Sequence, residues 1–217
     1  MKRYVVVDLE MCKVPKGYKK EFRCGQEIIQ IGAVLLDQDF NIYDTFNKYV
    51  KPEYGKLDKF ITNLTGITED NLSDADKLSI VLRRFEEWLP DGELVGISWS
   101  DTDNNQLIRE VDKKSIYISS KLQSVLDRWV DCQPQFSDKM KMKKIYSLEE
   151  ALIATDICTE GRAHDGLVDA YNTGLLFAKM QREVELVLNP YYEVAHSDKD
   201  LDSLNYSLGD LLLAAGF

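Results

Sequence analysis

The stretch VVVDLEMC, residues 5–12, predicts a strand that carries two carboxylates. Three successive β-branched residues favour a buried strand over residues 3–7, and the acids follow at its end. Side chains alternate across a strand, so Asp8 and Glu10 point to the same face. Two anions on one face repel each other and lose hydration if the strand is central. The pair therefore indicates either a strand end that has reached solvent or a site where a divalent cation turns the repulsion into attraction.

The elements that follow this strand predict a mixed α/β sheet. Two more strands are predicted over residues 27–37 and 41–52, and the short link DQDFN between them favours an antiparallel hairpin. Apolar residues then recur at helical spacing over residues 73–92, with Ser73 as the predicted cap. Strands and helices alternate after it: strands over 93–100 and 128–132, and helices directly after Asp103, over 147–155 and over 166–184. This order favours one sheet with helices on both faces and the first strand at its centre.

The composition excludes several classes of protein. Over 217 residues the formal net charge is −10 and the pI about 4.8. These values argue against a protein that binds nucleic acid through its net charge alone. They do not argue against an enzyme that contacts phosphates through a bound metal ion. The four cysteines have no CxxC spacing and the N-terminal run does not resemble a secretion signal, which favours free thiols in a reducing cytoplasm. No apolar stretch approaches membrane-spanning length, so we expect a cytoplasmic protein without a membrane partner.

Three further ionisable residues lie at the ends of predicted elements. Asp103 follows the strand over 93–100, where a helix would begin. Asp169 lies early in the last predicted helix, and His164 precedes it by five residues. Because five residues is not a same-face helical spacing, we expect His164 in the loop before the helix and Asp169 in its first turn. A histidine on a loop beside a carboxylate-bound metal is well placed to take a proton from water.

The residue types predict metal-dependent hydrolysis of a phosphodiester. Carboxylate-rich sites suit hard cations such as Mg²⁺ and Mn²⁺, and two such ions roughly 4 Å apart can activate a water and stabilise the leaving oxygen. Taken alone, each residue has a plainer interpretation: Asp103 as a helix N-cap, Asp169 as an ordinary first-turn acid and His164 as a surface loop residue. Asp101 lies close to Asp103, which is preferred because it immediately precedes the predicted helix.

Three motifs, taken in order, resemble those of a known enzyme family. The segments DLE, SWSDTDNNQLI and HDGLVDA resemble the three motifs of the DnaQ-like, DEDDh-type 3′→5′ exonucleases. Residues 27–37 and 63–75 are also similar to family segments, so the resemblance covers about residues 3–180. The runs EMC, WSDTD and HxxLxDA are similar to the Eri-type branch, whose members trim RNA. Some bacterial relatives of that branch are described as regulators of sporulation kinases.

The resemblance implies a ribonuclease H-like α/β fold with a mixed five-stranded sheet in the order 3-2-1-4-5. It also implies two Mg²⁺ or Mn²⁺ ions held by four carboxylates, with a histidine as general base on the attacking water. The implied metal ligands are Asp8, Glu10, Asp103 and Asp169, and the implied base is His164. One position departs from the family: Gly166 stands two residues after the histidine, where Ala is usual, and is expected to loosen the start of the helix and the placement of His164.

The expected substrate contacts lie beside these motifs. The resemblance implies that Leu9 and Met11 line the pocket for the terminal nucleotide, with ordinary packing as an equal alternative. Trp99 and Ser100 precede the second motif and are further candidates. For Trp99 a position in the core is favoured over a base-stacking platform.

Two basic clusters stand out in this acidic chain. The cluster KVPKGYKKEFR, which begins at Lys13, follows the first strand directly and has aromatic residues interleaved. This pattern favours contact with a single-stranded backbone. The second cluster, KMKMKK at residues 139–144, is more typical of a solvated face.

Together these patterns predict an enzyme that removes nucleoside 5′-monophosphates one at a time from the 3′ end of single-stranded nucleic acid, with RNA favoured over DNA. Two alternatives stay open: the same chemistry on single-stranded DNA or very short oligonucleotides, and a regulatory module that keeps the fold and binds a protein partner. The predicted exonuclease domain spans residues 1–184. Residues 185–217 form an extension without an assigned role, which keeps the protein-partner alternative open.

Overall fold

The computed structural model of the chain describes residues 2–159 and 161–189, so most of the predicted extension over 185–217 lies outside the described residues. The strands are β1 (Lys2–Lys13), β2 (Gln26–Leu36), β3 (Ile42–Tyr49), β4 (Glu93–Ser98) and β5 (Trp129–Asp131). The helices are α1 (Lys19–Phe22), α2 (Lys59–Thr65), α3 (Glu69–Ser73), α4 (Leu78–Trp88), α5 (Thr102–Lys113), α6 (Ser120–Leu126), α7 (Cys132–Lys139), α8 (Leu148–Ala154) and α9 (Gly166–Arg182). Within these two ranges, no helix has both the length and the apolar character needed to span a membrane.

The five strands form one mixed sheet in the order β3-β2-β1-β4-β5. β1 runs antiparallel to β2 and parallel to β4, and β5 runs parallel to β4. β2 and β3 form the antiparallel hairpin expected from the short DQDFN link. The predicted fold class, strand order and central position of the first strand are confirmed.

The three valines of β1 show why this strand occupies the centre of the sheet. Val5 and Val7 pack with the helix layer formed by α4, α5 and α6, whereas Val6 packs with the layer formed by α7, α8 and α9. Each of the three is at most 1% exposed. The acids after the valines continue this alternation, so Asp8 and Glu10 lie on the side of Val6 and α9.

β1 continues past its two acids to Lys13 and is longer than the predicted strand over residues 3–7. Its parallel pairing with β4 ends at Val6, whereas its antiparallel pairing with β2 reaches Lys13 and contains a β-bulge between Glu10 and Met11. The prediction that the acids end the strand is therefore wrong. They do lie beyond the last pair with β4, at the edge of the sheet where sites form in α/β proteins.

Local signals account for several helix starts, with two corrections. α8 lies within the helix predicted over residues 147–155, and its N-cap Ser147 forms a capping box with Glu150. Ser73, however, ends α3, and α4 begins after Lys77, so the predicted cap is wrong. α5 begins one residue before Asp103, and not directly after it, so Asp103 lies in the first turn of this 12-residue helix and not at the cap.

All four cysteines are free thiols, as predicted. Three of them are buried, and Cys158 is exposed. Burial raises the pKa of the Cys12 thiol to about 12 and raises that of Cys24, so these thiols stay protonated and unreactive near neutral pH.

Candidate active site

The two acids of β1 project toward the start of α9 and share one electrostatic environment. Glu10 is 8% exposed, and burial, followed by the charges of Asp169 and Asp103, raises its pKa to about 8. Burial also raises the pKa of Asp8 well above its usual value, with Asp103, Asp169 and Glu10 adding to the effect. Both shifts have the same physical origin, because the charged form loses hydration and faces other anions.

Asp103 reaches this pair from the first turn of α5. It is 7% exposed, and its Oδ1 accepts a hydrogen bond from the backbone N–H of Leu9 at 3.0 Å. Because Leu9 lies between Asp8 and Glu10, this bond fixes α5 against the acidic part of β1. Burial raises the pKa of Asp103 to about 7, and the backbone N–H groups of Leu9 and of Asp103 itself oppose the rise. Asp101 is exposed, so the preference for Asp103 agrees with the structure.

The histidine motif lies at the start of α9. Asp169 is in the first turn of the helix and His164 is in the loop before it, as predicted. The backbone N–H of His164 donates to Asp169 Oδ2 at 2.9 Å. Burial raises the pKa of Asp169, and this hydrogen bond opposes the rise. His164 is exposed and has a φ of 62°, a left-handed conformation that costs free energy outside glycine, so the bond stabilises a strained residue.

The side chains singled out by the three motifs meet in one place. Glu10, His164 and Asp169 each offer one atom that could bind a metal ion, and these three atoms lie within 4.8 Å of one another. In addition to burial, Asp103 and Asp169 both raise the pKa of Asp8 and of Glu10, so the four carboxylates repel one another as one cluster. The structure thus brings together all five residues that the sequence analysis proposed.

This arrangement fits a divalent cation. Carboxylate oxygens are the ligands that Mg²⁺ and Mn²⁺ prefer in proteins. A cation held by the cluster would offset the repulsion among its acids and return their pKa values toward the ordinary range. The residues that would hold it are Asp8, Glu10, Asp103 and Asp169.

Two glycines allow α9 to approach the sheet closely enough to bring its acid to β1. A Cβ added at Gly32 of β2 would lie 2.0 Å from the carbonyl carbon of Gly166. A Cβ added at Gly166 would lie 3.3 Å from the carbonyl oxygen of Asp8 and from the backbone nitrogen of Gly32. The backbone of the helix therefore rests on the backbone of the sheet. The expectation that Gly166 loosens the helix start is wrong, because this glycine is part of a tight contact.

Three of the residues expected to contact substrate lie partly or wholly in the core. Leu9 is 4% exposed and packs with the layer of α4, α5 and α6, and Met11 packs against the same cluster from a half-buried position. Trp99 is 8% exposed, and its indole N–H donates to the carbonyl oxygen of Tyr146 at 3.2 Å. The core alternative for Trp99 is confirmed. A substrate contact at Leu9 or Met11 stays a prediction.

Ser100 and Lys13, the other two candidates, keep accessible surface. Ser100 is half-buried, and its carbonyl oxygen accepts a hydrogen bond from the hydroxyl of Ser98. Lys13 is exposed, pairs with Asp58 at 3.5 Å, and holds its Nζ 5.2 Å from the ring centroid of Phe60. Phe60 is itself 61% exposed, so a cation and an open aromatic face lie side by side near the end of β1.

Sequence reasoning missed two polar residues beside the histidine motif. Asp165 caps α9 by accepting two backbone N–H groups of its first turn. Its charge, after burial and the nearer acids, also contributes to the raised pKa of Asp8 and Glu10. Gln30 is fully buried in β2 and binds Gly166. An acid directly before a helix and a polar residue within the apolar run EIIQIGAVLL are the signals that could have identified them.

The amino-acid sequence of the chain matches one protein family and several characterised relatives. The sequence model of the Exonuclease family (RNase_T) matches residues 5–177. ERI1 exoribonuclease 2 of Danio rerio is 32% identical over 202 residues, covering 82% of this chain and 35% of that protein. The 3'-5' exoribonuclease 1 of Rattus norvegicus is 29% identical over 192 residues, covering 85% of this chain and 54% of that protein. The chain thus spans about a third and about half of the length of these two relatives.

The fold of the chain also matches that of a solved nuclease structure. The nuclease domain of 3'hExo, described as a DEDDh family member bound to rAMP, matches with a TM-score of 0.71 and 26% identity. The match covers 86% of this chain and 96% of that domain. The family match over residues 5–177 includes all five residues of the site. The chain therefore belongs to the exonuclease family and has the ribonuclease H-like fold of its DnaQ-like, DEDDh-type members.

Proposed function

We propose that the protein is a 3′→5′ exonuclease that removes nucleoside 5′-monophosphates one at a time from the 3′ end of single-stranded RNA. The observation that carries this proposal is the approach of Glu10, His164 and Asp169 to within 4.8 Å, beside Asp8 and Asp103. Carboxylates suited to divalent cations and an exposed imidazole are the groups that metal-dependent phosphodiester hydrolysis requires. Two relatives are named exoribonucleases, one of them 3'-5', which supports the direction and the choice of RNA.

Each residue of the site has a distinct task in this reaction. Asp8, Glu10, Asp103 and Asp169 would hold two Mg²⁺ or Mn²⁺ ions. When bound, the ions lower the pKa of a water molecule and offset the charge that develops on the leaving oxygen. His164 takes a proton from the attacking water.

The bonds that change are those around one phosphorus atom. The water oxygen forms a new bond to phosphorus, while the bond from phosphorus to the 3′ oxygen of the preceding nucleotide breaks. That 3′ oxygen takes up a proton as it leaves. The products are a nucleoside 5′-monophosphate and a strand that is one nucleotide shorter and ends in a 3′-hydroxyl.

The position of His164 supports its role as the base. Its backbone N–H is bonded to Asp169 Oδ2 at 2.9 Å, so the main chain of the loop is tied to the carboxylate cluster. The residue as a whole is exposed, which gives the imidazole access to water. A neutral imidazole can accept a proton from an attacking water molecule.

The position of the basic cluster that begins at Lys13 supports a path for the upstream strand. Lys13 lies three residues beyond Glu10, about 10 Å along β1. The exposed ring of Phe60 beside it suits stacking of a base, and the ammonium group suits a phosphate. Lys139, at the start of the second basic cluster, lies elsewhere, since its Nζ donates to the carbonyl oxygen of Glu183 at 2.6 Å. The 17 residues of α9 separate that point from the site by about 25 Å.

A time course on 5′-labelled single-stranded RNA and DNA of equal sequence tests the proposal. The protein is incubated in Mg²⁺, in Mn²⁺ or in chelator, and Asp8→Asn is compared with Glu87→Gln, which changes an exposed acid. We expect a ladder that shortens from the 3′ end of RNA, requires a metal, and is slowed about 100-fold or more in Asp8→Asn only. Folded protein that degrades neither strand would overturn the enzyme, and faster degradation of DNA would overturn the choice of RNA.

A further inference from the structure

Gln30 is a polar side chain buried in the middle of an apolar strand. It is 0% exposed, and its neighbours Ile29 and Ile31 in β2 are at most 1% exposed. Across the antiparallel pair it lies opposite Glu10 of β1. Burying an amide costs free energy unless it is hydrogen-bonded, so the partners of this side chain indicate its task.

The side-chain amide of Gln30 forms hydrogen bonds at the start of α9 through both its oxygen and its nitrogen. Its Oε1 accepts a hydrogen bond from the backbone N–H of Gly166 at 3.1 Å. Its Nε2 donates to Asp165 Oδ1 at 3.4 Å and to Asn47 Oδ1 at 3.0 Å. Gly166 is the first residue of the helix and Asp165 is its N-cap. One side chain of the sheet therefore binds a donor and an acceptor of the same helix start.

The residues on either side of this helix start belong to the site. His164 directly precedes Asp165, and Asp169 lies one turn into the helix. The two are joined by the hydrogen bond from the His164 backbone N–H to Asp169 Oδ2. Because His164 is held at a φ of 62°, its conformation depends on how its neighbours in the chain are fixed.

We propose that Gln30 is a positioning residue, whose neutral amide sets the start of α9 and thereby the orientation of His164 toward the carboxylates. A glutamate here would keep the acceptor for Gly166 but lose the donor toward Asp165. It would also add a negative charge beside a cluster of acids. A side chain that only filled space could be replaced by one of similar volume without effect. The inference rests on the proposed function where activity is measured, and is independent of it where His164 is observed directly.

The first test compares two substitutions of Gln30 with a matched control. Gln30→Met keeps the volume and removes both hydrogen-bonding ends, and Gln30→Glu removes only the donor and adds charge. Gln106→Met is the control, because Gln106 is also buried, at 2% exposure, but its amide binds Glu110 and the carbonyl oxygen of Gln26. We expect both Gln30 variants to lower kcat about 10- to 100-fold with less than about threefold change in KM. The control should keep the wild-type kcat.

A second measurement observes the histidine without any nucleic acid. The chain has only two histidines, His164 and His196, so the ring signals in an NMR spectrum can be assigned with His196→Gln. We expect the His164 ring signal to shift in both Gln30 variants and to stay in place in Gln106→Met. A purely structural loss of stability would not distinguish these variants in this way.

A double substitution tests the pairing itself. Combining Gln30→Glu with Asp165→Asn exchanges donor and acceptor between the two side chains, and asparagine can still cap the helix. We expect the double variant to recover kcat at least about tenfold over Gln30→Glu alone, and to return the His164 signal toward its wild-type position. If Gln30→Glu alone does not fold, recovery of folding in the double variant reports the same pairing.

The outcomes separate this inference from the proposed function. Wild-type kcat and an unmoved His164 signal in Gln30→Met would overturn the positioning role, even if the wild type is an active exonuclease. A double variant no better than Gln30→Glu would overturn the pairing with Asp165. A wild-type protein that cleaves no nucleic acid would overturn the proposed function, while the His164 signals would still decide the role of Gln30.

Discussion

At the scale of single residues, Glu10 shows the electrostatic strain of the site most directly. Its pKa of about 8 in the folded protein lies far above the value near 4.3 of an unfolded chain. Between these two values the folded state binds more protons than the unfolded state. The free energy of unfolding therefore decreases as the pH rises from about 4 to about 8.

We expect Glu10→Gln to stabilise the metal-free protein at pH 8 by on the order of 2 kcal/mol, or several degrees in Tm. Near pH 4 the variant should match the wild type, because the carboxyl of the folded protein is protonated there. Thermal unfolding in chelator at both pH values measures the effect, with the exposed Glu87→Gln as control. Equal Tm values for wild type and Glu10→Gln at pH 8 would contradict the repulsion within the cluster.

At the scale of elements, the contact between β2 and α9 depends on two residues that lack side chains. A Cβ at Gly32 would lie 2.0 Å from backbone of the helix, and backbone atoms cannot give way as the end of a side chain can. We expect Gly32→Ala to lower the free energy of unfolding by about 3 kcal/mol and to abolish cleavage. Gly166→Ala, with contacts at 3.3 Å, should have a smaller effect.

Gly17→Ala is the control for this series, because a Cβ there has nothing within 4 Å. Its free energy of unfolding should change by less than about 0.5 kcal/mol. Urea unfolding of the three variants, followed by circular dichroism, measures the ranking. A Gly32→Ala protein as stable as Gly17→Ala would show that helix and sheet can separate without cost.

A buried group of charges joins the C-terminal end of α5 to β2. Lys114 Nζ lies 2.6 Å from Glu27 Oε1 and 3.0 Å from Glu110 Oε2, and neither glutamate side chain is exposed. Lys114→Met would leave two buried carboxylates without their cation. We expect a loss of about 3 kcal/mol in the free energy of unfolding. Lys113→Met is the control, since that side chain is 34% exposed and pairs with Asp112 at the surface. Equal urea midpoints for the two variants would contradict the importance of the buried group.

At the scale of the whole molecule, local patterns predicted the β2–β3 hairpin and the central position of β1. The full strand order and the cluster of five residues were expected from the resemblance of three motifs to one family. The length of β1 was not, since its pairing with β2, rather than its own residues, carries it to Lys13. The contact of Gln30 with Gly166 joins residues 136 positions apart, and no local pattern encodes it. Trp99 was correctly placed in the core by its apolar surroundings, whereas Ser73 was misassigned because two short helices precede α4.

The distribution of charge over the whole molecule bears on how an acidic protein could hold a polyanion. With a net charge of −10, the chain as a whole repels nucleic acid. Attraction then depends on local clusters of lysine close to the site. Residues 13–23 form such a cluster at the end of β1, whereas Lys139 and Lys141 of the second basic cluster lie beside the far end of α9.

We therefore expect Lys13→Ala combined with Lys16→Ala to raise the KM for a single-stranded RNA of about twelve nucleotides several-fold, with kcat unchanged. In a plot of the logarithm of the binding constant against the logarithm of the salt concentration, the slope should become less negative. We expect a change of roughly 0.7 for each phosphate that the variant no longer neutralises. Lys139→Ala combined with Lys141→Ala removes the same charge beside the far end of α9 and should leave KM unchanged. Cleavage of a dinucleotide, too short to reach Lys13, should be equal in both double variants. An equal rise of KM in both would mean that net charge, and not a path beside β1, governs binding of the strand.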